Sequence, residues 1–78
     1  MDIENRIKLV MSKILEVSIK EIDRNAEPHK FDNWDSLNHL NLIIALEEEF
    51  DINFSDDELS ELLNFKLILS IIENKISK

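Results

Sequence analysis

The stretch "NWDSLNHL", residues 33–40, sets a hydroxyl beside a carboxylate where irregular sequence gives way to a long apolar-periodic run. Asp35 suits a helix N-cap, because its carboxylate can accept the free N–H groups of a first helical turn. Ser36 then becomes the first helical residue, with its hydroxyl turned outward. A group esterified there leaves from the positive end of the helix, where a phosphate is electrostatically favoured. The competing account is that Asp and Ser stand here only because helix starts are built from such residues.

Other residues with chemical potential are few. His29 and His39 are the only histidines, and there is no cysteine, which excludes disulfides and thiolate metal sites. His39 falls on the core-facing side of the helix that begins at Ser36. That placement describes a satisfied, partly buried ring rather than a catalytic base, and no enzyme is indicated. "DINFSDDELSEL" places Asp51, Asn53, Ser55 and Asp57 at alternating positions of an EF-hand-like loop. The glycine and the closing glutamate that such a loop needs are replaced by Asp56 and Leu62, so no metal site is expected. A small acidic calcium-binding or protein-interaction module is nevertheless the alternative to a serine displayed for modification.

The elements that must position Ser36 follow from periodicity. Ile3, Ile7, Val10, Met11, Ile14 and Leu15 recur at helical spacing, which predicts a helix from residue 3 to about 16. Leu42, Ile43, Leu46 and Phe50 predict a second, from about Ser36 to Phe50. Ser55 and Glu58 form a capping box that opens a short helix near 56–63. Phe65, Ile68, Leu69, Ile72 and Ile76 predict the last. Residues 17–35 hold the only proline, Pro28, and read as a long connection pinned to the core by Val17, Ile19, Ile22 and Phe31. With no glycine, tight hairpin turns are hard to build. The expected fold is all-α, a four-helix bundle of three longer helices and one short one, formed by residues 1–78 as a single domain.

The net charge is −8, which argues against nucleic acid. Ten acids and no Lys or Arg lie between Phe31 and Phe65, so one contiguous half carries the negative field and would steer cationic partners toward it. The opening "MDIENRIKLVMSKIL" has neither the form of a secretory signal nor that of a membrane span, so a soluble cytoplasmic protein, monomeric, is expected.

The second helix has two apolar stripes. Counted from Ser36, Leu42, Ile43, Leu46 and Phe50 cluster at roughly 240–340° and form the core face. Leu37, Leu40 and Ile44 cluster at roughly 40–100°, bracketed by Glu47 and Glu48, with Ser36 at their edge. The second stripe is either covered by the long connection or left open as a docking surface for partners that present basic and apolar side chains together.

The run "WDSLNHLNLIIALEEEFDINFSDDEL" resembles the acyl carrier proteins, and the likeness extends over nearly the whole chain. It rests on the "DSL" motif, the "ALEEEF" end of the second helix and the "DINFSDDEL" entry to the short third one. The resemblance implies that Ser36 carries 4′-phosphopantetheine from coenzyme A and that the arm holds an acyl or aminoacyl group as a thioester. It implies Asp35, Leu37, Leu40, Ile44, Glu47 and Glu48 as the docking residues. It further implies a phosphopantetheinyl transferase and acyl or aminoacyl ligase, synthase or acyltransferase enzymes with basic docking patches as the partners. Asn33 and Trp34 replace the small pair usual before "DSL" in fatty acid carriers, and Asn38, His39 and Asn41 stand where those carriers tend to have Asp, Thr and Glu. In this respect the chain looks more like carriers of specialised pathways, such as polyketide, aminoacyl or sugar-modifying systems.

Overall fold

Four α-helices wrap one apolar core in a computed structural model that describes residues 2–76; Met1, Ser77 and Lys78 lie outside the described residues. The first helix, α1, runs Ile3–Leu15 and starts at Asp2, whose side chain accepts the Asn5 N–H at 2.7 Å. It buries Ile7, Met11 and Leu15 and stops where Glu16 turns left-handed at φ 57°, sending its N–H back to the Ser12 carbonyl. A glycine normally takes such a C-terminal position. This chain has none, and a glutamate holds it instead.

The second helix, α2, runs Ser36–Phe50 and buries Leu42, Ile43 and Leu46, as its core stripe predicts. It too ends on a left-handed non-glycine residue, Asp51 at φ 54°. Packing of α1 on α2 and α4 makes the body of the bundle. Arg6 reinforces the first contact, donating to the Glu49 carboxylate at 3.0 Å and the Glu49 carbonyl at 2.9 Å while lying 4.4 Å above the Phe50 ring.

The third helix, α3, is shorter than the sequence predicts. It spans Asp56–Leu59 and not 56–63. The Ser55–Glu58 capping box is present in both directions, at 3.2 and 2.8 Å, so the start is where the sequence puts it. The end comes early because Leu62 must turn into the core, where it is fully buried; the chain tightens through the Leu62 N–H to the Leu59 carbonyl. Lys75 ties α3 to the last helix through Glu58 at 2.8 Å. That helix, α4, runs Phe65–Ile76 and buries Phe65, Ile68, Leu69 and Ile72. Asn64 caps it by accepting the Leu67 N–H at 2.9 Å.

The connection between α1 and α2 is better ordered than expected. It contains 3₁₀ turns at Ile19–Glu21 and Pro28–Lys30, the first closed by a Ser18–Glu21 capping box. Ile22 is buried, and Val17 and Phe31 are partly buried, as predicted; Ile19 instead points outward. Ala26 and Trp34 are buried as further anchors, and the Ala26 carbonyl accepts the N–H of Phe65 at 3.0 Å, stitching the connection to the start of α4.

Candidate functional site

Asp35 caps α2 as its residue type dictates. Its backbone is extended, and its side chain accepts the Asn38 N–H at 2.9 Å. Ser36 is therefore the first residue inside the helix, and it is exposed. The N–H groups of Ser36 and Leu37 meet no backbone carbonyl among the described residues, as expected at the mouth of a helix. The result is an accessible hydroxyl beside unsatisfied donors, at the positive end of fifteen aligned peptide dipoles.

The second apolar stripe is open. Leu37 is 69% exposed, Leu40 55% and Ile44 48%, so the long connection does not cover them. Side chains this apolar normally face a core, and three of them on one helix face make a contiguous hydrophobic strip. The glutamates beside it differ from one another. Glu48 is exposed and makes no ion pair or hydrogen bond among the described residues. Glu47 is half-buried, and one of its oxygens accepts the Phe54 N–H at 2.9 Å, holding the segment between α2 and α3. Glu49 is taken by Arg6. Of the two rim glutamates, Glu48 is wholly free for an external partner and Glu47 only in part.

Sequence reading did not find the other side of the site. A cleft of about 310 Å³ opens beside Ser36, with Asp35 and Ser36 at its rim and Pro28, Trp34, His39, Leu62 and Leu63 as its walls. The Trp34 indole is only 4% exposed, and its N–H donates to His39 Nδ1 at 3.0 Å, with the two rings stacked 25° from coplanar. His39 also lies beside the Leu62 backbone. Burial lowers the His39 pKa, and the Leu62 contact offsets this only in part. The neutral form suits the geometry as well, because the nitrogen facing the indole N–H must offer a lone pair. His39 is thus a satisfied structural ring, as its place on the helix predicts.

The other residues that depart from the pattern of fatty acid carriers form a second set of hydrogen bonds nearby. Asn33 Nδ2 donates to the Leu15 carbonyl at 2.9 Å, satisfying a free acceptor at the end of α1. Asn38 Nδ2 donates to the Asn33 carbonyl at 2.8 Å. Asn41 reaches Asn38 at 3.3 Å. Asn33, Trp34, Asn38, His39 and Asn41 therefore fix the entry to α2 as a set. In the segment read as a calcium loop, Ser55 and Glu58 bond to each other and Glu58 pairs with Lys75; among the described residues no three acidic or histidine groups converge on a metal-sized site.

This is the architecture of a small helical protein that displays one serine at a helix mouth between an open apolar strip and a cleft. Over 77 residues the chain is 38% identical to the acyl carrier protein of Buchnera aphidicola subsp. Schizaphis graminum, covering 99% of this chain and 98% of that relative. It is 32% identical over 75 residues to the acyl carrier protein of Nitratidesulfovibrio vulgaris strain DP4, covering 96% and 99%. Its fold superposes with a TM-score of 0.86 on the solution structure of a holo acyl carrier protein from Geobacter metallireducens, at 26% identity and covering 99% of this chain and 88% of that one. No family model matches the chain. On the full-length relatives the assignment is plain: the chain belongs to the acyl carrier protein family.

Proposed function

We propose that the chain works as one non-catalytic carrier domain whose Ser36 is esterified with 4′-phosphopantetheine, and that it presents an acyl or aminoacyl group to successive enzymes of fatty acid, polyketide or related specialised biosynthesis. The single observation that carries the reading is the exposed Ser36 hydroxyl at the first position of α2, with Asp35 occupied in capping beside it. The residues fit the group. A phosphodiester on Ser36 would sit at the free N–H groups of the first turn, and nothing buried has to move to admit it. When bound, the arm supplies a thiol that holds an acyl group as an activated thioester, the function a chain without cysteine cannot provide itself.

The chain's own residues supply attachment and docking. In loading by a phosphopantetheinyl transferase, the Ser36 Oγ attacks the coenzyme A phosphate that bears the pantetheine, loses its proton to the transferase, and displaces 3′-phosphoadenosine 5′-phosphate. Leu37, Leu40 and Ile44 offer apolar area to the transferase and to ligase, synthase or acyltransferase partners. Asp35 and Glu48, with the outer oxygen of Glu47, offer charge to basic patches on those enzymes. Presenting one tethered substrate raises its effective concentration at each enzyme without any chemistry by the carrier. We place the carrier in the cytoplasm as a monomer; no helix among the described residues is long and apolar enough to cross a membrane.

Incubation with coenzyme A and a broad-specificity phosphopantetheinyl transferase tests the reading by intact mass. The wild-type chain gains one arm, and Ser36→Ala gains none while keeping its helical circular dichroism. An alanine variant that still takes the arm refutes the site.

A further inference from the structure

The line from Ser36 into the interior of the bundle passes between α2 and the segment that follows α3. Three residues close it: the buried Trp34 indole donates to His39 Nδ1 at 3.0 Å, and Leu62, whose side chain is fully buried, lies beside them. These residues come from three separate parts of the fold: the end of the long connection, α2, and the turn before α4. Behind them Leu42, Leu46, Phe65 and Ile68 are closed to solvent. Opening the line would strip the indole N–H of its partner in a water-poor place, and an unsatisfied buried donor is costly. The cleft of about 310 Å³ lies on the outer side of the same barrier, against Ser36.

Resting on the attachment reading at Ser36, we infer that the Trp34–His39 pair bars cargo from the bundle interior and confines it to this cleft, so that the carrier's cargo is a short, apolar acyl group. Size and polarity both follow from the walls. A cavity of about 150 Å³ holds a benzene, so the cleft has room for about a dozen heavy atoms, or about eight carbons once the end of the tether takes its share. Pro28, Leu62, Leu63 and the indole face are apolar, and the polar groups are already used: the indole N–H and the imidazole by each other, one Asp35 oxygen by the Asn38 N–H. A hydroxylated or charged chain would lose water there without gaining partners. Trp34 and His39 act as specificity-determining residues by closing the alternative.

The test uses the holo carrier acylated in turn with acetyl, butyryl, hexanoyl, octanoyl and dodecanoyl groups, each load verified by intact mass. Trp34 is the only tryptophan, so its emission reports on the cleft directly. Emission is expected to shift between acetyl and hexanoyl, and the thermal midpoint to rise to about octanoyl and then level off. In His39→Ala, dodecanoyl should raise the midpoint beyond octanoyl. Trp34→Phe, which keeps a ring but removes the donor, serves if circular dichroism finds the alanine variant unfolded. A wild-type midpoint that keeps rising to dodecanoyl overturns the inference. So does Trp34 emission indifferent to every cargo, or a folded variant that levels off where the wild type does. A chain that gains no arm defeats the attachment reading, and this inference with it, before any acyl chains are compared.

Discussion

Glu47 accepts the backbone N–H of Phe54 at 2.9 Å, across the turn that ends α2, while the adjacent Glu48 makes no hydrogen bond or ion pair among the described residues. The two glutamates bracket the same apolar strip but do different work. Glu47→Ala leaves the Phe54 N–H unpaired in a half-buried place, which costs about 1–2 kcal/mol of stability. Glu48→Ala should be neutral to within about 0.5 kcal/mol, as for a free surface charge. Glu48→Lys should instead slow loading by the transferase, with the loss largest at low salt. Urea unfolding and salt-dependent loading rates separate the two. Equal destabilisation by both alanine variants would dismiss the division of labour.

His39 makes stability depend on pH. Burial holds its folded pKa below the ordinary value of 6.5, so the unfolded chain binds a proton more readily than the folded one. Stability from this group is therefore complete above about pH 6.5 and declines as pH falls through that value toward the lower folded pKa. Protonation would also set two N–H groups against each other at the Trp34 contact. Subtracting the unfolding free energies of His39→Gln from those of the wild type across pH 5–8 should leave a difference that grows with pH and flattens above about 7. A flat difference would mean that His39 titrates alike in both states.

The two left-handed helix ends carry strain that glycine would remove. Glu16 sits at φ 57° with its side chain exposed, so Glu16→Gly should stabilise the protein by about 0.5–1 kcal/mol, read as a higher urea midpoint at unchanged slope. Asp51 at φ 54° should gain less, because aspartate tolerates this region better than glutamate. Destabilisation by Glu16→Gly would mean that the carboxylate makes a contact worth more than the strain.

These positions also mark how far the sequence could be read. The four helices were legible because each has an apolar stripe at helical spacing or a capping signature, and α2 began at Ser36 because Asp35 is an effective cap. The open strip of Leu37, Leu40 and Ile44 was visible as a second stripe, but whether the connection covers it depends on where residues 17–35 lie, which periodicity does not encode. Ser18 and Glu21 carry a capping box in the sequence, but no apolar run follows it to mark a helix. Ile19 faces outward because the 3₁₀ turn rotates it away while Ile22 takes the core place. The early end of α3 and the cleft beside Ser36 share one cause. Leu62 is drawn into the core from the turn before α4, and only the fold brings it against the local Trp34–His39 pair to wall the cleft.

Asp35 combines two roles that substitutions can pull apart. Its carboxylate caps α2 through the Asn38 N–H at 2.9 Å, and its charge lies beside Ser36, the proposed attachment site. Asp35→Asn keeps an acceptor of the same shape, so stability should change by only a few tenths of a kcal/mol, whereas Asp35→Ala removes the cap and should cost about 1 kcal/mol. If the charge steers a cationic patch of the transferase, both variants should lose loading efficiency by about tenfold at low salt and converge on the wild type as salt rises. If the cap alone matters, by holding the Ser36 hydroxyl in place, Asp35→Asn should load normally and only Asp35→Ala should fail. Loading rates measured at two ionic strengths, with thermal midpoints taken on the same samples, decide between a helix cap that happens to be acidic and an acid that also recruits the enzyme.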